Sequence, residues 1–282
     1  MLRTVMLPVY FDEDNDLILA FARGLTALGV RRVVLAHVCE TSGAEGPVVA
    51  ACVDNARGQM AAFASNLEDA GLACEVRVAT GGAAEQLTAL ASEAQVDAIV
   101  YGTHAKSLVD QIFTGSVSER LLREATVPHL VVRFDLLRNA EDPAMLLKHF
   151  GEKIILPTDF SLNAAHAFNM ALELPASVAR QIFLLHAIDP ALTSDKLRRA
   201  EEGAEFHLKN LQAMCAQQGL KSSVTIVKDA SAGKAVLAEI DERRATGVIV
   251  GTRGRNAVQE LLLGSVSMTL LRQASCPVLI VP

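Results

Sequence analysis

The feature that most constrains this chain is an internal repeat, in which two halves carry the same landmarks at one constant offset. Pro8 and Pro157 are 149 residues apart (157 − 8 = 149), and His37 and His186 show the same offset. Five more landmarks of the first half recur in the second at this spacing: Gly102, Gly115, Ser116, Arg123 and Pro128 correspond to Gly251, Gly264, Ser265, Arg272 and Pro277. A repeat of this length has the size of a whole domain rather than of a solenoid unit. The sequence therefore predicts two homologous domains.

The segment between the halves, DLLRNAEDPAMLLKHFGEK, is polar and suits a connector with a short helical piece after Pro143. We predict one domain over residues 1–134, a connector over 135–150 and a second domain over 151–282. The 282 residues of the chain are enough for two separate hydrophobic cores.

Strand and helix patterns alternate within each half. In the second half, KIILP and QIFLLHAI are short apolar runs typical of buried strands. Between them, Leu162, Ala165, Phe168 or Asn169, and Leu172 recur at helical spacing, and a later helical pattern stops at Gly219. Such alternation predicts an α/β fold with a parallel sheet and helices on both faces. In such sheets ligands bind beyond the carboxyl ends of strands, where the topology switches.

Composition excludes several classes of function. The formal net charge of −6 argues against non-specific binding to nucleic acid or to an anionic membrane. The first ten residues do not resemble a secretion signal, and no run approaches the roughly 18 to 20 apolar residues that span a bilayer. We therefore predict a cytoplasmic protein.

The five cysteines are scattered, without a C-x-x-C pair, and we predict reduced core thiols rather than disulfides or metal ligands. They are Cys39, Cys52, Cys74, Cys215 and Cys276.

The segment GTRGRNAVQELLLGS, residues 251–265, has a spacing of glycines that suits an anion. Glycines after a strand let backbone N–H groups approach a phosphate, and the N-terminus of a following helix adds further donors. Arginines in the intervening loop can offset phosphate charge. The candidate residues on this interpretation are Gly251, Arg253, Gly254, Arg255, Gly264, Ser265 and Ser267, the last as a hydroxyl donor.

The same residues also fit ordinary turn and capping chemistry, in which Gly follows a strand and Ser precedes a helix. In the first half, Ser116 and Glu119 form an S-x-x-E capping box. The Walker ending G-K-[ST] and the dinucleotide pattern G-x-G-x-x-G are both missing, so the sequence does not predict fast phosphoryl transfer.

Read as G-x-x-G, nine residues and G-S, this segment resembles the signature of the universal stress proteins. The segments ILPTDFS, LLHAI and CPVLIVP match the other landmarks of that family in order. The resemblance covers Lys153 to Pro282 fully and Thr4 to Arg133 more loosely, so the chain resembles a tandem universal stress protein.

The resemblance implies two doubly wound domains, each with five parallel strands in the order 3-2-1-4-5. It also implies that some members bind ATP or a related adenine nucleotide with Mg²⁺. Asp159 would then face the nucleoside, with Pro157 and Thr158 beside it. The residues that would hold ribose and phosphates are Gly251, Gly254, Gly264, Ser265, Val266 and Ser267. Family members dimerise through the last strand, so VPHLVVR and CPVLIVP are expected to pair within one chain, and a homodimer is a further expectation.

The first half departs from this pattern at two key positions. Tyr10 replaces Asp159, and Ala105 replaces Gly254, so we predict a degenerate site in the first domain. The nearby DEDND run is interpreted as acidic residues at a helix N-terminus rather than as a calcium loop.

His37 and His186 stand at equivalent strand ends. They could be general bases, but we favour hydrogen-bonded structural histidines.

Three functional hypotheses follow. The first is a regulatory stress-response protein that binds an adenine nucleotide in its second domain. The second is a slow ATP hydrolase on the same site, and the third is a structural or interaction protein that binds no nucleotide. Protein partners are not identified by the sequence.

Overall fold

The structure, a computed structural model, describes residues 2–40, 46–104, 117–175, 177–254 and 263–282. Contacts divide the chain into two compact units, residues 1–130 with 134–147 and residues 131–133 with 148–282. Most of the segment predicted as a connector therefore packs on the first unit. No helix in the described ranges combines the length and apolarity that crossing a membrane requires.

The first half alternates strands and helices from its beginning. Its strands, in the described part of the chain, are β1 (Thr4–Pro8), β2 (Arg32–Cys39), β3 (Ala73–Thr80), β4 (Ala98–Thr103) and β5 (His129–Arg133). Its helices are α1 (Asn15–Ala22), a 3-10 helix (Arg23–Leu28), α2 (Gly46–Glu68), α3 (Ala83–Glu93) and α4 (Val117–Arg123), followed by α5 (Phe134–Asn139) and α6 (Ala144–Lys148).

The second half repeats this order of elements. Its described strands are β6 (Ile154–Pro157), β7 (Gln181–Ile188), β8 (Lys221–Lys228), β9 (Gly247–Gly251) and β10 (Val278–Val281). Its described helices are α7 (Leu162–Glu173), α8 (Ser194–Gln217), α9 (Ala232–Arg243) and α10 (Ser265–Gln273).

Each half has the predicted strand order. The strands run β3-β2-β1-β4-β5 in the first half and β8-β7-β6-β9-β10 in the second, which is 3-2-1-4-5 in both. Strand β1 pairs in parallel with β2 and β4, and β6 pairs in parallel with β7 and β9. From β1 the sheet grows to one side through β2 and β3 and then to the other side through β4 and β5, and the same holds from β6 in the second half. Because parallel crossover connections are right-handed, the helices of the two sides lie on opposite faces of the sheet. The predicted doubly wound α/β fold is confirmed.

Helix α7 shows a difference between the sequence pattern and the packing. Leu162, which begins the predicted apolar spacing, is 79% exposed, and Ala165 is exposed as well. The buried face is instead a stripe of mostly small residues, Ala164, Ala167, Phe168 and Ala171. The helix begins after Ser161, whose side chain accepts a hydrogen bond from the N–H of Ala164. Alanines on the inner face allow the helix to lie close to the sheet, and this closeness matters at the site below.

Candidate functional site

The candidate site lies at the carboxyl ends of β6 and β9 in the second half. These strands are paired neighbours, and they flank the point where the strand order reverses. Thr158 and Asp159 follow β6, while Thr252, Arg253 and Gly254 follow β9. The fold therefore brings two loops together that are about 90 residues apart in sequence.

Asp159 and Gly254 are in close contact between these loops. The Asp159 Oδ1 atom accepts a hydrogen bond of 3.0 Å from the N–H of Ser161. A Cβ atom placed on Gly254 would lie 2.5 Å from Asp159 Oδ2. Gly254 thus gives the carboxylate room that any other residue would take.

Gly251 is required by helix packing. A Cβ on Gly251 would lie 2.7 Å from the backbone carbon of Asn163 and 2.8 Å from its oxygen, so α7 passes directly over the end of β9. The Asn163 Nδ2 group donates to Thr252 Oγ1 at 2.7 Å, which ties the helix to the loop. Asn163 and Thr252 were not singled out from the sequence, although Thr252 lies within the glycine motif and Asn163 closely follows the segment ILPTDFS.

The N-terminus of α10 forms the other wall of the site. Its N-cap is Gly264, whose N–H donates to the Thr252 carbonyl at 2.8 Å and which has no side chain to cap the helix. A Cβ on Gly264 would lie 3.4 Å from the Arg253 Cα and 3.7 Å from the Gly254 nitrogen, so the two ends of the motif meet. The first N–H groups of a helix have no intrahelical acceptor. Ser265, Val266 and Ser267 therefore present backbone donors and the positive end of the helix dipole.

Ser267 has a structural hydroxyl. The side chain is 2% exposed, and its Oγ–H donates to the Gly251 carbonyl at 2.7 Å. The expectation that this hydroxyl is a donor to a phosphate is therefore corrected, because its proton is already used within the protein. The backbone N–H of Ser267 remains the group that the residue can offer.

The remaining predicted residues occupy different environments. Pro157 is the buried last residue of β6, and Thr158 is 7% exposed with its Oγ1 accepting from the N–H of Phe160 at 3.0 Å. Arg253 is half-buried at the end of β9, and Val266 is half-buried in α10. Arg255 lies outside the described residues.

His186 holds the loop that carries Asp159. Its Nδ1 lies 2.7 Å from the Thr158 carbonyl, and because a carbonyl only accepts, Nδ1 carries the hydrogen. Phe160 has a left-handed backbone (φ 61°) and stacks on the histidine ring at 4.6 Å. The arrangement supports the interpretation of this histidine as structural.

The first half has the same arrangement of a histidine bound to a loop carbonyl and covered by a phenylalanine. His37 Nδ1 lies 2.7 Å from the Val9 carbonyl, and Phe11, with φ 53°, packs on the ring at 4.5 Å. Both histidines therefore shape the loop that follows the first strand of their half.

At the corresponding edge of the first half, α5 covers the sheet. A Cβ on Gly102 would overlap the Phe134 ring, which also packs on His104 at 4.7 Å. Arg138 of the same helix donates to Asp14 Oδ1 at 2.5 Å, and His104 Nε2 lies 3.2 Å from Asp14 Oδ2. Asp14 is 2% exposed and, although it is the N-cap of α1, makes no capping hydrogen bond with its side chain. Asp14 therefore lies at the helix N-terminus, as the sequence suggested, and its carboxylate also holds α5 through Arg138.

A cavity of about 150 Å³ remains beside this covered edge. Its lining includes Pro8, Tyr10, Asp12, Asn15, Thr103 and Ser118. The Tyr10 ring is 43% exposed, yet loss of hydration around its hydroxyl and the nearby Asp12 raise the Tyr10 pKa to about 12. Tyr10 is thus a neutral hydrogen-bonding group where the second half has a carboxylate. Ala105 lies outside the described residues.

Two cysteines contradict the expectation of reduced thiols. Cys39, at the end of β2, and Cys52, in the second turn of α2, form a disulfide. The pairing depends on how α2 packs against β2, which no short cysteine motif reveals. Cys74, Cys215 and Cys276 are free thiols, and burial raises the pKa of Cys276 to about 12.

Comparison with known proteins agrees with this architecture. The universal stress protein MJ0531 of Methanocaldococcus jannaschii is 32% identical over 146 residues, which are 46% of this chain and 81% of that protein. MJ0577 of the same organism is 23% identical over 155 residues, or 47% of this chain and 96% of that protein. The crystal structure of a universal stress protein from Archaeoglobus fulgidus has the same fold, with a TM-score of 0.75 and 21% identity over 99% of this chain and 95% of that one.

The sequence profile of the universal stress protein family matches twice, over residues 1–133 and over residues 151–282. These two matches cover nearly the whole sequence and coincide with the two halves of the fold. The chain belongs to the universal stress protein family, with two family domains in tandem.

Proposed function

We propose that the second domain binds ATP or a related adenine nucleotide and that occupancy of the site regulates the protein in the response to stress. The observation that supports this proposal is the contact of Gly254 with Asp159 on one side and the proximity of Gly264 on the other. A side chain at Gly254 would displace the Asp159 carboxylate, and one at Gly264 would press on the backbone of Thr252 and Arg253. A site kept clear of Cβ atoms beside a helix N-terminus suits a phosphate group.

Each part of the site has a distinct role in this proposal. The N–H groups of Ser265, Val266 and Ser267 bind phosphate oxygens, and Arg253 and Arg255 offset their charge. Asp159 faces the ribose or base from the opposite loop, with Pro157 and Thr158 setting its position. Gly251 acts indirectly, because it lets α7 approach and holds Ser267 in place. A Mg²⁺ ion bound with the nucleotide would neutralise phosphate charge, and Asp159 is the nearest carboxylate in the two described loops.

The choice of adenine rests on the family resemblance rather than on a base-reading contact. Pairing of the two last strands, a homodimer and a cytoplasmic location are further proposals that rest on the sequence. In a regulatory protein of this kind, the nucleotide would alter contacts with a second copy or with another protein.

The test is calorimetric titration of the purified protein with ATP and Mg²⁺, after any bound nucleotide has been removed. We expect about one nucleotide per chain, and we expect Gly264→Arg to abolish binding because its side chain would enter the space beside Arg253. Gly203→Arg is the matched control, since a side chain at Gly203 on α8 meets open space.

The outcomes separate the three hypotheses. One site per chain without turnover supports the regulatory proposal, whereas phosphate release that exceeds that of Gly264→Arg would indicate a slow hydrolase. Two sites per chain would mean that the first domain also binds nucleotide. Absence of binding would reject the proposal and favour a structural or interaction protein.

A further inference from the structure

We propose that His37, Cys39 and Cys52 form a Zn²⁺ site in the first domain when the two cysteines are reduced, and that the disulfide closes this site. One ligand atom from each residue lies within 4.8 Å of the other two. Two thiolates and an imidazole are the ligands that Zn²⁺ prefers in proteins. The site is separate from the proposed nucleotide site and does not depend on it.

The fold builds this cluster from two elements. His37 and Cys39 are two residues apart near the end of β2, so their side chains lie on the same face of the strand. Cys52 is in the second turn of α2, which packs against β2 and β3. The disulfide shows that this packing brings the Cys52 sulfur to the Cys39 sulfur.

His37 has one ring nitrogen that the described part of the chain does not use. Its Nδ1–H donates to the Val9 carbonyl at 2.7 Å, so Nε2 is the nitrogen that would bind the metal ion. Zinc-binding histidines commonly make this second hydrogen bond, because it fixes the tautomer and the orientation of the ring. Phe11 packs on the ring at 4.5 Å and limits its rotation.

The exposure of the three residues suits a site that an ion can enter. Cys39 is 2% exposed and His37 is half-buried, whereas Cys52 is exposed. Three protein ligands with one side open to solvent leave a fourth position for water.

The second domain lacks both thiols although it keeps the histidine. Ile188 ends β7 at the place of Cys39 (188 − 39 = 149). In the helices, the buried residues Ala56 and Met60 of α2 correspond to Ala204 and Leu208 of α8, at an offset of 148 (204 − 56 and 208 − 60). The same offset places Ala200 at the position of Cys52. His37 and His186 each hold the loop after the first strand of their domain through an equivalent hydrogen bond. That role does not require the two thiols, which the second domain lacks at these positions.

Oxidation and metal binding exclude each other at this site. Zinc binding by the dithiol releases two protons and forms two Zn–S bonds. A hydroperoxide such as H₂O₂ oxidises the two thiolates to the disulfide and is reduced to two waters with the uptake of two protons, so Zn²⁺ leaves. A thiol reductant returns two electrons and two protons and restores the ligands.

The test uses the full chain, reduced and freed of metal, titrated with Zn²⁺ in competition with a chromophoric chelator and separately with Co²⁺. We expect one ion per chain and a thiolate-to-Co²⁺ charge-transfer band. Cys52→Ser, at an exposed position, should lose the tight site, with affinity falling by more than about tenfold, and should weaken the band. Cys74→Ser removes one thiol outside the cluster and should leave both readouts unchanged. His37→Gln should keep the band and bind Zn²⁺ more weakly.

Peroxide should release the Zn²⁺ to the chelator, and reductant should restore binding. Absence of binding by the reduced chain, or equal affinity in Cys52→Ser and the unsubstituted chain, would overturn the site. Retention of Zn²⁺ after formation of the disulfide would overturn its coupling to oxidation.

Discussion

The carboxylate of Asp159 lies directly against Gly254, with Oδ2 at 2.5 Å from the place where a Cβ atom on the glycine would stand. The two residues come from loops after different strands, β6 and β9. Packing between the two loops therefore requires glycine at position 254, apart from anything that a ligand would require.

Gly254→Ala should weaken both the site and the fold. The added methyl group must displace Asp159, and overpacking of this kind costs about 1–3 kcal/mol of unfolding free energy. We expect a fall in ATP affinity of more than about tenfold, measured by calorimetry. Gly203→Ala is the control, because its methyl group meets open space on α8 and should raise stability by about 0.5–1 kcal/mol. Equal ATP affinities in the two variants would contradict the role of Gly254.

Ser267→Ala tests whether the buried hydroxyl is structural. The change leaves the Gly251 carbonyl without its 2.7 Å donor, which should cost about 1–3 kcal/mol in urea unfolding. Ser265→Ala, at an exposed position in the same helix, should change stability by less than about 0.5 kcal/mol. A variant of Ser267 as stable as that of Ser265 would show that the hydroxyl has no structural role.

The sequence predicted the fold well because repeated landmarks and strand–helix alternation are local signals. Gly251 and Gly254 stood out in the sequence, but their packing partners, Asn163 and Asp159, depend on how separate parts of the chain meet. The spacing of glycines alone does not contain that information.

The covering of the first domain by Phe134 and Arg138 could not be predicted from the sequence. These residues fall at the edge of a segment that is polar enough to be interpreted as a connector, and their contacts with Gly102 and Asp14 span long sequence separations. The Cys39–Cys52 pairing was missed for the same reason, since it depends on the packing of α2.

Arg138→Ala should destabilise the first domain. It removes the guanidinium partner of Asp14, whose side chain is 3% exposed, and we expect a cost of about 1–3 kcal/mol because His104 Nε2 remains 3.2 Å from the other carboxylate oxygen. Arg180→Ala removes a pair with Glu152 at 3.9 Å that is largely solvent-exposed, and its cost should stay below about 1 kcal/mol. Urea unfolding of both variants compares them directly, and an equal effect would mean that the pair with Asp14 contributes no more than a surface pair.

Reduction of the Cys39–Cys52 disulfide should lower the stability of the first domain. The bond closes a loop with a sequence separation of 13, for which loss of chain entropy in the unfolded state predicts about 2–3 kcal/mol. The measurement is urea unfolding with and without a thiol reductant, in EDTA so that metal does not contribute. Cys52→Ser should reproduce the reduced value and should not respond to reductant, whereas a response of this variant would point to another cause.

His129 should make the first domain sensitive to acid. The residue is 1% exposed, its Nδ1 lies 3.2 Å from the Tyr101 hydroxyl, and burial lowers its pKa from 6.5 to about 3. Below pH 6.5 the unfolded chain binds a proton that the folded chain does not, so stability present above pH 6.5 is lost as the pH falls towards 3. The slope contributed by this residue is about 1.4 kcal/mol per pH unit. Urea unfolding between pH 7 and pH 4 should show this slope, and His129→Gln should remove it while Tyr101→Phe retains it. A slope that is unchanged in His129→Gln would assign the acid sensitivity to other groups.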